Sequence, residues 1–219
     1  MQPIRTSPHV AARRRGRTPP ARGQNERVSL EAAEKFFGLL AIVAGIGAIV
    51  LLITRLVPAA RRLTSELYPI TIWLAWLVAA VSMFGSLYFS ESKGLEPCHL
   101  CWYQRIAMYS LAVVLLVGAI RRDHHVRWYA VPLAAIGLVI SIYHRLIEAH
   151  PSWEGSGVCS VAQPCSSPYF HVYDIFTLAM MAMCGFAAIL ALLLLVPRPP
   201  ELDIDAVDAV DADGELVSR

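Results

Sequence analysis

The sequence predicts an all-α integral membrane protein: a four-helix transmembrane bundle with one extra N-terminal transmembrane helix and disordered tails. Three observations predict it. Of 219 residues, 56% are hydrophobic and only 16% charged, too apolar for an ordinary soluble domain. The apolar residues gather into five runs of about 18 to 25, the length that crosses ~30 Å of hydrocarbon at 1.5 Å per helical residue. Lysine and arginine are sorted between alternate connections, as they are in short membrane loops. The spans must be helices, because lipid offers an unpaired backbone amide no partner. No internal repeat and no segment large enough for a soluble domain is visible, and nothing calls for a nucleic-acid partner.

Residues 1–35 carry seven arginines among Pro, Gly and Ser. Such a segment buries too little apolar surface to offset chain entropy, so a disordered tail is expected. The first apolar run, 36–57, is preceded by that tail and followed by no small-residue cleavage site, so a cleaved signal peptide is not expected. Its uncharged length predicts a spanning helix with an external N-terminus. The charge rule opposes this, and the alternative is a helix lying on the membrane with Arg13, Arg14 and Arg15 against anionic lipid.

Residues 67–196 make up the four-helix domain, with spans predicted at 67–90, 102–120, 128–149 and 170–196. Arg55, Arg61, Arg62, Arg121, Arg122, Arg127 and Arg198 fall on one side of these spans. Lys93, Arg105 and Arg145 fall on the other. Retention of positive charge in the cytoplasm then puts the loops around residues 91–101 and 145–169 outside. Tyr88, Phe89, Trp102, Tyr103, Trp153, Tyr169 and Tyr173 crowd that outer boundary, and Tyr68, Trp128 and Tyr129 the inner one, as interfacial belts do. The closing stretch, 199–219, has seven acids and one arginine and is expected to be a disordered, solvated tail.

Four of the five cysteines lie in the outer loops: Cys98 and Cys101 in PCHLC, Cys159 and Cys165 in GVCSVAQPCSS. Cys184 sits mid-helix and is expected to pack as a small hydrophobe. Thiols outside the cytoplasm meet an oxidising environment, which favours disulfides over a four-thiolate zinc site, and no metal is expected. A c-type haem would need histidine directly after Cys101, where Trp102 stands. A CxxC closes too small a loop to be an effective staple. Placed at a helix start, where free N–H groups and the dipole stabilise thiolate, it makes a good exchange site. The second pair, in a Gly/Ser/Pro-rich loop, is read either as a mobile relay or as a loop-closing disulfide. His99, taken alone, is a solvated loop residue.

Arg105 follows Cys101 by four residues and so lies one turn deeper on the same face. A cation at that depth either snorkels or meets a partner. The partner proposed by the chemistry is a membrane-soluble quinone, whose oxygen gains negative charge on reduction. His144, closing the fourth run on the same side, could serve that pocket as donor or proton source; Asp174 is given no role.

With these residues in view, PCHLCWYQRIAMY resembles the CxxC segment of the DsbB and BdbC disulfide bond formation proteins. SIYHRLIE resembles the end of that family's third helix. VCSVAQPCSSPYF is similar to its second cysteine pair, closer to the short-loop BdbC form. The resemblance covers residues 67–196. It implies a multi-pass protein of the cytoplasmic (inner) membrane that reoxidises an extracytoplasmic, DsbA-like thioredoxin-fold oxidase and passes the electrons to ubiquinone or menaquinone. Cys159 and Cys165 would form the disulfide attacked by that partner, Cys159 being the sulfur joined to it. Cys165 would exchange with Cys98, leaving Cys101 as the thiolate facing the quinone, with Arg105 and His144 at its ring. The competing readings are a vitamin K epoxide reductase-like enzyme and a non-enzymatic membrane subunit with structural disulfides.

Overall fold

A computed structural model describes residues 21–57, 66–154, 159, 164–173 and 176–196. Among these residues lie five long helices: α1 (Ala21–Leu56), α2 (Thr71–Leu87), α3 (His99–Arg121), α4 (Arg127–Ala149) and α5 (Leu178–Leu195). Each contains a stretch long and apolar enough to cross a membrane, so the chain is a multi-pass, all-helical membrane protein. A 3-10 turn, Tyr68–Ile70, leads into α2, and a π turn, Tyr88–Ser92, prolongs it. The sequence expectations for Asp174, Arg61, Arg62, Arg198, Arg13 to Arg15 and the tail 199–219 lie outside the described residues.

Helices α2, α3, α4 and α5 form a ring in which each packs on the next and α5 returns to α2, while α1 lies outside the ring against α5. Lipid provides no hydrophobic drive between helices, so close packing has to come from small residues. The core accordingly holds Ala75, Ala79, Ala107, Ala112, Ala130 and Ala134. Larger apolar side chains such as Ile106, Val113 and Val139 point outward. A Cβ at Gly137 would sit 2.3 Å from the fully buried Phe186 ring, so the approach of α4 to α5 requires glycine there.

Three boundaries differ from the sequence expectation, each for a local reason. Helix α1 begins at Ala21 rather than at residue 36; once an apolar span is helical, extension through good formers such as SLEAAEK costs little. Helix α3 begins at His99, three residues early, because Cys98 serves as its N-cap. The last run, expected from residue 170, becomes helical only at Leu178. Before it, Val172 and Phe176 pair as an isolated bridge, and Tyr173 has a left-handed φ of 53°. Thr177 then caps α5 by accepting from the Met180 N–H at 3.3 Å.

The two ends of the bundle differ in charge. Lys93, just before the CxxC, donates to the Ser29 hydroxyl on α1 at 2.6 Å, which puts the N-terminal end of α1 at the cysteine end. Arg55, Arg121, Arg122 and Arg127 gather at the other end, at the helix termini away from the cysteines. There Arg122 adopts φ 51° and the Asp123 N–H donates back to the Gly118 carbonyl at 2.9 Å, a hydrogen-bonded stop to α3.

Candidate functional site

Cys98 and Cys101 stand at the first turn of α3. The Cys98 sulfur accepts a hydrogen bond from the Cys101 backbone N–H at 3.4 Å and lies 2.8 Å from the Cys101 sulfur. Both are free thiols. On the far side of Cys98, His144 of α4 brings its Nε2 to 3.8 Å, while Gln104 Nε2 approaches His144 Nδ1 at 3.4 Å. With the Gln104 amide donating, Nδ1 accepts and the ring proton sits on Nε2, aimed at the Cys98 sulfur. The Cys101 thiol, then His144 and the Cys101 backbone N–H, hold the Cys98 thiol well below the ordinary thiol range, against the effect of burial. The helix start thus does what its free N–H groups and dipole allow.

The second pair is closed as a disulfide between Cys159 and Cys165, six residues apart. It packs onto the first: Cys98, Cys165, Leu100 and Ile147 share one buried cluster, with Cys101 and Cys159 at its edge. His144 also meets the backbone of Cys165, so one imidazole touches both pairs. Glu154 clamps the loop, accepting from the Cys165 N–H at 2.6 Å and from the Ser166 hydroxyl at 2.5 Å. The Tyr169 hydroxyl donates to the Glu96 carbonyl, tying this loop to the one that carries the CxxC. Burial, and then the nearby CxxC sulfurs, push the Tyr169 phenol upward, which keeps it a protonated donor. Below the loop, Thr177 donates to Glu148 at 2.7 Å and Arg145 stands 3.8 Å from the same oxygen.

Exposure within each pair is uneven. Cys98 and Cys165 are 4% and 2% exposed, whereas Cys101 and Cys159 are only half-buried. The two buried sulfurs are turned inward, and the two accessible ones face different surroundings. Cys101 lines a cavity of about 360 Å³ whose walls are largely apolar, among them Val78, Met108 and Met181, with Gln104 and Arg105 among its polar members. Cys159 lies on the loop side.

Arg105 is held, not extended toward water. Its Nε donates to the Ser86 hydroxyl at 2.8 Å and one terminal nitrogen to the Ser86 carbonyl at 2.9 Å. Its guanidinium lies 5.4 Å from the centre of the Trp102 ring. A cation fixed one turn below a sulfur, at the wall of an apolar cavity, is placed to meet negative charge arising there.

Cys98, Cys101, Cys159, Cys165, Arg105 and His144 therefore meet at one end of the bundle, whereas His99 is exposed at the start of α3. Cys184 is apart from them, its sulfur 3.1 Å from where a Cβ on Gly45 of α1 would lie. Sequence reasoning passed over Ser86, Gln104 and Glu154, and placed Tyr169 only in the interfacial aromatic belt. Gln104 carried a usable signal, since a polar side chain inside an apolar span is there for a reason. The donor atoms of Cys98, Cys101 and His144 lie within 4.8 Å of one another and could together bind a soft cation. Of the four thiols considered from sequence as a zinc set, Cys159 and Cys165 are joined to each other in this arrangement.

Residues 68–196 match the family described as Disulfide bond formation protein DsbB. Disulfide bond formation protein C of Bacillus subtilis is 41% identical over 107 residues, 49% of this chain and 78% of that one. Probable disulfide formation protein C 2 of Bacillus anthracis is 44% identical over 107 residues, 49% of this chain and 76% of that one. A probable disulfide formation protein of Deinococcus radiodurans is 47% identical over 100 residues, 45% of this chain and 65% of that one. No solved structure matches. With a membrane bundle, two adjoining cysteine pairs and a family match over most of its length, the chain belongs to the DsbB family of disulfide bond formation proteins, in a form similar to the disulfide formation protein C relatives.

Proposed function

We propose that this membrane disulfide oxidoreductase reoxidises an extracytoplasmic, thioredoxin-like dithiol oxidase and delivers the electrons to a membrane quinone, ubiquinone or menaquinone. The observation that carries the reading is the division of labour among sulfurs: Cys98 shares a buried cluster with Cys165, while Cys101 opens onto an apolar cavity beside Arg105. The arginines at the far end of the bundle support a cytoplasmic location for that end, and so an extracytoplasmic one for both cysteine pairs.

A sulfur of the partner bonds Cys159, the accessible member of the loop disulfide, and Cys165 leaves as thiolate. Cys165 then bonds Cys98 of an oxidised CxxC, and Cys101 leaves as thiolate on the cavity side. The partner's second thiol displaces Cys159 and the partner departs oxidised. Cys159 then displaces Cys98 from Cys165, restoring the loop disulfide and leaving the CxxC as a dithiol. That is the arrangement described above, with two electrons moved from the loop to the helix. Each exchange is the attack of a thiolate on one sulfur of a disulfide, with the other sulfur leaving as thiolate.

The cavity suits the proposed acceptor, with apolar walls open to a lipid-soluble ring, a fixed cation, and a sulfur on the same wall. A bound quinone would take up two electrons and two protons. On the protein side Cys98 and Cys101 close their disulfide and give up two protons. His144, proton on Nε2 toward Cys98, stabilises the thiolate, and Arg105 supplies positive charge at the cavity wall. Purified protein given a dithiol and a short-tail quinone should reduce the quinone, and Cys101→Ser should abolish this. Retained turnover in that variant overturns the reading.

A further inference from the structure

Helix α1 lies outside residues 68–196, the part that matches the family, yet it supplies one side of the cavity. Phe37, Leu40, Ala41, Val43 and Ala44 of α1 line it, opposite Gln104 and Arg105 of α3. The spacing of Phe37, Leu40, Ala41 and Ala44 is one helical stripe. The other face, with Phe36, Leu39 and Ile46 each more than half exposed, looks toward lipid. Val43 is 60% exposed and still on the lining, which marks the rim where the cavity meets hydrocarbon.

The position of α1 is fixed at several points. Lys93 bonds Ser29 at 2.6 Å. The Phe37 ring fills the notch left by Gly85, where a Cβ would lie 2.8 Å from it, and meets Phe89 edge-on at 5.6 Å. A Cβ at Gly38 would come within 2.8 Å of Val172, so α1 also rests against the segment that leads into α5. A lipid chain in this place would be mobile and exchangeable, whereas a packed helix gives the cavity a shape.

We propose that α1 is the lipid-side wall of the acceptor cavity and that Phe37 and Leu40 on it set which lipid-soluble two-electron acceptor binds, and how tightly. This rests on the quinone reading above and names a determinant of specificity for it. The helix takes no part in the thiol exchanges, which occur on the opposite side of Cys101.

The test uses the full-length protein in nanodiscs with a photoreactive short-tail azidoquinone, and in parallel dithiol-driven reduction of short-tail and long-tail quinones. The wild-type protein should be labelled, in competition with unlabelled quinone, on α1 between Phe37 and Ala44 as well as on α3. Leu40→Trp, which fills the cavity from the wall, should cut labelling and raise KM by about tenfold while kcat holds, the signature of lost binding in a preformed pocket. Exchange between a small dithiol and the loop disulfide should be unchanged, and Leu39→Trp on the lipid face should behave as wild type. If Leu40→Trp loses that exchange and so has not folded, Phe37→Ala decides, because a widened wall should shift the preference between short-tail and long-tail quinones. Labelling confined to α3, with Leu40→Trp or Phe37→Ala like wild type, overturns the α1 proposal and leaves the quinone reading standing. Absence of both competed labelling and quinone reduction in wild type overturns both.

Discussion

Cys98 and Cys101 ride on the first turn of a 23-residue helix, whereas Cys159 and Cys165 belong to a loop held by one carboxylate, Glu154. The helix gives its pair fixed geometry and a tuned thiolate. The loop gives its pair reach, at the cost of needing a clamp. Yet each pair follows the same plan of one buried and one accessible sulfur, and the two buried sulfurs share a cluster. The proposed relay would use this plan: the inner sulfurs would trade with each other, and the outer two would serve a soluble protein and a membrane acceptor without competing for either.

The most direct way to break the comparison is to remove one sulfur of the loop pair at a time. Cys165→Ser should lose turnover altogether; given a single-cysteine thioredoxin-like partner whose thiol is activated as a thionitrobenzoate disulfide, it should accumulate a mixed disulfide between Cys159 and that partner, with thionitrobenzoate leaving, seen as a reducible adduct on a gel. Cys159→Ser should also be inactive but form no such adduct, since Cys165 is 2% exposed. An adduct of equal yield in Cys159→Ser would show that burial does not assign the outer sulfur.

The next effect concerns the helix pair, through pH. Because the Cys98 thiol is held below the ordinary range, its thiolate is present above that lowered value and is lost only as pH falls through it. In the reduced protein, alkylation of Cys98 by iodoacetamide should therefore change little between about pH 6 and pH 8, where a thiol of pKa near 8.5 gains almost tenfold per unit. Cys101→Ala removes the first cause of the lowering and should restore a steep pH dependence. A steep profile already in wild type would remove the thiolate from the helix start.

Much of this was legible in the sequence because the membrane restricts the choices. Apolar length forces helices, and the i, i+4 spacing of Cys101 and Arg105 fixes their shared face whatever the surroundings. Where chain ends of helices depend on one hydrogen bond, hydropathy was blind: Thr177 stops the apolar run from being helical back to residue 170, and Cys98 starts α3 early. Contacts between distant segments were also out of reach. Ser86 holding Arg105, Glu154 holding Cys165, and α1 beside the cavity join residues with no common periodicity, so only the folded arrangement reveals them.

A smaller effect tests the clamp. Glu154→Ala removes the acceptor of both the Cys165 N–H and the Ser166 hydroxyl, so the loop pair should sample orientations in which Cys165 no longer faces Cys98. Positioning losses of this kind cost about tenfold or more in rate. Stopped-flow transfer of electrons from a reduced loop pair to an oxidised CxxC should slow by that factor, while quinone reduction by a pre-reduced CxxC stays unchanged. Equal slowing of both steps would mean that Glu154 supports the whole end of the bundle, not the loop alone.

The smallest expected effect belongs to Gln104, which touches neither pair of sulfurs directly but approaches Nδ1 of His144 at 3.4 Å. Removing its amide frees the imidazole to take the other tautomer, with an unprotonated Nε2 facing Cys98, and that nitrogen repels a thiolate where the protonated one stabilises it. Gln104→Leu keeps the volume and the helix, so packing changes little. The expected loss is about threefold in CxxC oxidation, on the scale of one neutral hydrogen bond acting at second hand, with the Cys98 alkylation profile displaced to higher pH. His144→Asn, whose amide can donate to Cys98 without a tautomer to choose, should make the further change Gln104→Leu silent. A pH displacement that persists in the His144→Asn background would show that Gln104 acts on the thiols by another route, through the cavity wall it also lines.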